Sequence, residues 1–259
     1  MVDYHVHSSL SFDSISNPES IALEAVKRGL REICFTDHYD SNSDPQKPAN
    51  LFTAEQYRHR YDNLCVPGLV IRRGMEFGLT RWNMGQVQAF EYPFDFVIGS
   101  VHFVEGFDPY EPEYWEGRSV QEAFCAYLEE VYQCVRLHDD FDVLGHMTYV
   151  CKSIHNPTHE PVRFEEYHDI ADEIMKILIA KGKGIEVNTS GIDRVGVFLP
   201  SEDYLRRFKE LGGQIVTVGS DSHDCSRIGQ YIPQALEVIK EIFGYVCTFE
   251  NRKPMFYKL

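Results

Sequence analysis

Chemistry can start at His5-Val6-His7. On an extended strand alternate side chains share a face, so the two imidazoles project one way while Tyr4 and Val6 project the other. Side chains two residues apart lie about 7 Å apart, near enough to converge on one divalent metal at an open strand end. Asp13 follows a serine-rich turn that can bring it back to the same point. Further along, His38, Glu76, His102, His146, Asp221 and His223 each close an apolar run such as Ile33-Cys34-Phe35 or Phe96-Val97-Ile98. One histidine in a core needs no special account, but six at strand ends do.

The set is imidazole and carboxylate without thiolate. That selects Zn, Mn or Fe over a soft-metal site, and it is too rich in histidine for Mg alone. Nine candidate ligands exceed one tetrahedral ion, so we expect two or three divalent metals, with Glu76 and Asp13 as candidate bridges. Clustered metals suit phosphate-ester hydrolysis, because they polarise phosphoryl oxygens, generate hydroxide at neutral pH and stabilise the leaving oxygen. Neither G-x-x-x-x-G-K-[ST] nor G-x-S-x-G occurs, which sets aside P-loop and serine-hydrolase chemistry.

These residues need a scaffold that brings strand ends together. Asn17-Pro18 reads as a helix start, Gly29 as its end, and Glu32 to His38 as a buried strand. A β-α-β unit within the first forty residues favours a parallel sheet with right-handed crossovers. Strands are expected over 69–78, 94–102, 143–146, 184–188, 213–223 and 246–249. Helices are expected over 53–63, 120–138, 164–181, 201–211 and 233–243. Seven such units without a low-complexity linker read as one α/β barrel domain over 1–259, in which the strand ends converge on one face. Residues 39–52, 103–118 and 151–163 are long loops, and the last two are candidate lids. Trp82 and Trp115 are candidates to line a pocket, whereas His155, His159 and His168 read as polar residues without a metal role.

A 43% hydrophobic composition supplies a sizeable core. The formal charge of −15 argues against nucleic acid as the main partner, yet leaves room for a small anion held by metals. Seven scattered cysteines without a C-x-x-C pair fit a reducing cytoplasm. Met1-Val2-Asp3 carries no basic leader, and no run reaches the ~18 apolar residues of a membrane span. A homo-oligomer is compatible with all of this.

The ordered set His5-x-His7, Asp13, Thr36-Asp37-His38, Gly74-Met75-Glu76, Gly99-Ser100-Val101-His102-Phe103, Gly145-His146, Glu186-Val187-Asn188-Thr189-Ser190-Gly191 and Gly219-Ser220-Asp221-Ser222-His223 resembles the PHP (polymerase and histidinol phosphatase) family. Within it the chain looks most like the histidinol-phosphate phosphatases. The resemblance covers nearly the full length. It implies a distorted (β/α)7 barrel with a trinuclear metal centre at the C-terminal strand ends. It further implies hydrolysis of L-histidinol phosphate, in histidine biosynthesis, by a metal-bridging hydroxide. Another small phosphomonoester, a nucleotide or phosphotyrosine is the alternative substrate, and a non-enzymatic metal-binding barrel is the rival reading.

Carried over, one metal takes His5, His7, Glu76 and Asp221, a second takes Glu76, His102 and His146, and a third takes Asp13, His38 and His223. Asp13, His38, Glu76 and His223 are the candidate catalytic residues, and Asp13 stands where many relatives have histidine. Arg194, Lys152 and Asn188 are the candidate substrate-binding residues. Arg194 matches a basic position of the phosphatase pattern, and Lys152 stands in a stretch where those relatives usually carry arginine.

Overall fold

Strand and helix alternate as the apolar runs dictate. A computed structural model describes residues 1–259. In chain order the elements are β1 Val2–Val6, α1 Pro18–Lys27, β2 Glu32–Phe35, β3 His38–Asp40, α2 Ala54–Tyr61, β4 Val70–Gly78 and α3 Gln86–Ala89. Then come β5 Phe96–Ser100, α4 Pro112–Trp115, α5 Val120–Leu137, β6 Val143–Leu144, α6 Phe164–Ala180, β7 Gly184–Asn188, α7 Ile192–Val195 and α8 Glu202–Glu210. The chain ends with β8 Val216–Gly219, α9 Ile232–Ile242, β9 Tyr245–Glu250 and β10 Lys253–Lys258.

Seven strands pair in the order β1-β2-β4-β5-β6-β7-β8, every pair parallel. The two ends of this sheet meet. The His7 N–H donates to the Ser222 carbonyl at 2.9 Å, and the Asp221 N–H donates to the His5 carbonyl at 2.9 Å. The expected distorted (β/α)7 barrel is the observed fold. Local signals set the helix starts: Asn17 accepts the Glu19 N–H beside Pro18, and Thr53 and Ser119 form reciprocal capping boxes with Gln56 and Glu122. No helix is long and apolar enough to cross a membrane.

Two expectations change. The segment 32–38, read as one strand, is two. The Thr36 hydroxyl accepts the Val6 N–H at 3.1 Å, and the Asp37 carboxylate accepts the Ser8 N–H at 2.7 Å. These side-chain bonds interrupt the ladder and re-aim the chain, so His38 begins β3 beside Glu76 of β4. The final strand, read as 246–249, joins no barrel strand. It forms an antiparallel hairpin with β10, turning at Asn251 and Arg252, both of positive φ. Phe249 and Cys247 pack with Tyr4, Cys34, Phe96, Ile98 and Val143, forming a small second apolar cluster.

Candidate metal centre

Parallel strands deliver their C-terminal ends to one face of the barrel, and the ligating side chains meet there. His5 and His7 come from β1 and the turn after it, Asp13 from the loop between β1 and α1, His38 from β3, Glu76 from β4, and the rest from the turns after β5, β6 and β8. His5, His7, Glu76, His102 and His146 are buried.

Three groups of donor atoms abut one another. In the first, His5 Nε2 lies 3.3 Å from Glu76 Oε2 and 3.6 Å from Asp221 Oδ1, while His7 Nε2 lies 3.4 and 3.3 Å from the same two oxygens. The edge of a tetrahedron with ~2.1 Å metal–ligand bonds is about 3.4 Å. In the second, Glu76 Oε1 lies 3.2 Å from His102 Nε2 and 2.8 Å from His146 Nε2. In the third, Asp13 Oδ2, His38 Nε2 and His223 Nε2 stand 3.1 to 3.6 Å apart. His38 also turns Nδ1 toward Glu76 Oε2 at 2.9 Å, so it stands between two groups.

The side chains fit divalent ions by an independent sign. His5 Nε2, His7 Nε2 and Glu76 Oε2 are buried without a hydrogen-bond partner. Unsatisfied buried polar atoms are costly, and here three converge at coordination spacing.

The outer nitrogens fix the rings. Glu186 accepts from His5 Nδ1 at 2.6 Å and from the His146 N–H at 2.8 Å. Asp40 faces His102 Nδ1 at 3.1 Å, and Ser11 Oγ faces His7 Nδ1 at 3.0 Å. The Ser100 hydroxyl donates to Glu76 Oε1 at 2.7 Å. Such partners choose the tautomer and aim the other nitrogen inward. The sequence reading gave roles to none of these residues. Its one usable signal was alternation, since Asp40 shares the His38 face of β3.

Charge is balanced at close range. Burial acts to raise the Glu76 carboxyl, but His5, His102 and His38 together hold it well below the usual range. Burial likewise opposes ionisation of Asp221, and Lys152 with His5 overcomes it. Gly145 and Gly219 precede this centre for want of space rather than for turning, because neither has positive φ. A Cβ on Gly219 would stand 2.2 Å from His5 Cβ, and one on Gly145 would stand 2.4 Å from Ser100 Oγ.

The centre forms the floor of a cavity of about 390 Å³, walled by Phe12, Phe103, Tyr110, Tyr149 and Lys152. The 103–118 segment supplies three wall residues, whereas 151–163 contributes only Lys152. Lys152 is buried on a 3-10 turn, and its ammonium donates to Asp221 Oδ2 at 2.6 Å and Ser190 Oγ at 2.9 Å. Arg194 is exposed, lacks an acidic partner and lines an adjoining cleft that shares Lys152 and Asp221. Asn188 differs from expectation. It is fully buried and is not among the cavity-lining residues, its amide donating to Glu186 and accepting from Ser190, which places it beneath the floor. Trp82 and Trp115 also lie off the cavity, bonded to the Asn42 and Pro109 carbonyls.

A parallel barrel that gathers imidazoles and carboxylates at its strand ends defines a metal-dependent hydrolase class. The PHP domain model matches residues 3–190, and the chain belongs to the PHP family. It is 32% identical to a histidinol-phosphatase of Lactococcus lactis over 97% of this chain and 95% of that one. It is 30% identical to a probable histidinol-phosphatase of Clostridium acetobutylicum over 99% of this chain and 96% of the relative. The crystal structure of the Lactococcus lactis histidinol phosphate phosphatase, complexed with zinc, L-histidinol and phosphate, superposes with a TM-score of 0.80. That comparison covers 98% of both chains at 29% identity.

Proposed function

We propose that this chain is a metal-dependent phosphomonoesterase that hydrolyses L-histidinol phosphate to L-histidinol and phosphate. The observation that carries the reading is the sharing of Glu76 between two abutting groups of donor atoms at coordination spacing. His5, His7, Glu76 and Asp221 would hold one ion, Glu76, His102 and His146 a second, and Asp13, His38 and His223 a third, with Zn, Mn or Fe as the metal. Bound there, divalent ions supply Lewis-acid polarisation of the phosphoryl group and water activation at neutral pH.

The chain's own residues do the rest. Lys152 presents a fixed ammonium to the phosphoryl oxygens from the cavity wall, and Arg194 reaches the same oxygens from the rim. Phe103 and Tyr110 shield the floor from bulk water. The full-length relatives bear the histidinol-phosphatase name, which supports the substrate. Seven free thiols suit a reducing cytoplasm.

Phosphate release by Mn- or Zn-reconstituted protein tests the proposal. kcat/KM for L-histidinol phosphate should exceed that for generic phosphomonoesters by about 10³. A flat profile would discard the substrate, and silence across the panel would discard the activity. Glu186→Gln tests the metal assignment separately. It removes the anion that orients His5, so metal affinity measured by chelator competition should fall by about 10- to 100-fold. Unchanged affinity would show that His5 needs no such partner.

A further inference from the structure

Four carboxylates line the cavity, namely Asp13, Asp40, Asp108 and Asp221. Three of them face cationic or imidazole groups: Asp13 pairs with His223, Asp40 with His102, and Asp221 with Lys152. Asp108 has no ion-pair partner. Its only donors are the Tyr110 N–H at 2.8 Å and the Tyr149 hydroxyl at 3.1 Å, and both land on Oδ1. Oδ2 receives no donor from the protein.

The surroundings suit a cation. Tyr149 packs against His146 at 4.9 Å and His102 at 5.3 Å between ring centroids, and against Tyr110 at 5.5 Å. Asp108 therefore stands one phenol ring away from the candidate metal ligands. The Lys152 ammonium lies 5.1 Å from the centroid of that same ring. One tyrosine thus carries a positive charge over its face and a negative charge at its hydroxyl. A ligand spanning it with an anion at the Lys152 end and a cation at the Asp108 end meets complementary charge at both, and the π faces of Tyr149 and Tyr110 add to the cation's attraction. Burial raises the Asp108 carboxyl above its ordinary value, and the Tyr110 N–H, the more distant His102 and the Tyr149 hydroxyl only partly offset this.

We propose that Asp108 is the subsite for the ammonium group of the substrate, which makes the cavity selective for phosphate esters of amino alcohols. The inference rests on the phosphomonoesterase reading and assigns its specificity to a residue outside the metal-ligating set. In a vicinal amino-alcohol phosphate the ammonium and the ester oxygen sit on neighbouring carbons. Asp108 would then fix which end of the substrate enters first, and the carboxylate would gain the counter-charge that the protein withholds.

The test compares wild type with Asp108→Asn on three substrates: L-histidinol phosphate, its desamino analogue and p-nitrophenyl phosphate. The amide keeps an oxygen for Tyr110 and Tyr149 but removes the charge. We expect kcat/KM for L-histidinol phosphate to fall by about 10²-fold, chiefly through KM, as expected for loss of one charge-assisted contact. The two amine-free substrates should change by less than about threefold, which also reports an intact fold. Equal losses on all three, or no loss on any, overturn the ammonium subsite while leaving the phosphatase in place. If wild type releases phosphate from none of them, the phosphatase reading fails and the subsite falls with it.

Discussion

Glu76→Gln is expected to lower kcat/KM by about 10³-fold or more and to strip metal from the protein. No other side chain in the centre engages as many partners. Its Oε2 stands 3.3 Å from His5, 3.4 Å from His7 and 2.9 Å from His38, and its Oε1 stands 3.2 Å from His102 and 2.8 Å from His146. Glutamine has the same shape, so the buried position stays filled and the fold is retained. It replaces one acceptor oxygen by an NH₂ that can only donate, and it removes the charge that faces five imidazoles. One of the two neighbouring sites then loses an oxygen ligand, and both lose a counter-ion. Elemental analysis after dialysis should show at least one ion fewer per chain than in wild type. A full metal complement with near-normal turnover would reduce Glu76 to a structural carboxylate and undo the shared-ligand assignment.

The sequence made one half of this centre legible and hid the other half. Six of the nine candidate ligands stood out because they close apolar runs, His5 and His7 because they alternate on a strand, and a parallel barrel has only one place to send such ends. Their supports were hidden for a physical reason. Glu186 and His5 are 181 residues apart, and nothing local distinguishes a strand carboxylate that orients a ring from one that faces solvent. Ser11 shares this problem, whereas Asp40 had only its alternation with His38 to mark it. Asn188 misled because it sits near a strand end like the ligands, yet its amide is spent on Glu186 and Ser190. The break between β2 and β3 was invisible because it depends on the Asp37 carboxylate reaching back to residues 8–11. Strand β10 is mostly exposed, so it carries no alternating apolar signal. Lys152 was undecidable on spacing alone, and the inward turn of one 3-10 helix separates a solvated lysine from a cavity-wall cation.

Lys152 is also where binding and stability can be told apart. Its ammonium lies 2.6 Å from Asp221 Oδ2, both partners are buried, and Asp221 Oδ1 belongs to the first group of donor atoms. Lys152→Met keeps the length and removes the charge. Loss of a cation held against phosphoryl oxygens should lower kcat/KM for a phosphomonoester by about 10²-fold. The stability effect should depend on metal. Without metal, Asp221 loses its nearest cation and keeps only the imidazoles of His5, His7 and His223 beside it, and removing one partner of a buried pair costs up to about 3–5 kcal/mol. With metal bound, the carboxylate keeps a counter-ion, and the cost should shrink to about 1 kcal/mol or less. Denaturant unfolding of wild type and variant, each in chelator and in excess Mn, measures both values. A penalty equal in the two conditions would mean that Asp221 does not face a metal. Unchanged phosphatase kinetics would mean that Lys152 serves the fold of the floor and not the phosphate. Lys152→Arg separates charge from shape. If a compact ammonium is what the Asp221–Ser190 niche accommodates, the guanidinium should keep the metal-free stability yet recover less than the full rate, because its planar fork cannot satisfy both oxygens from the same point.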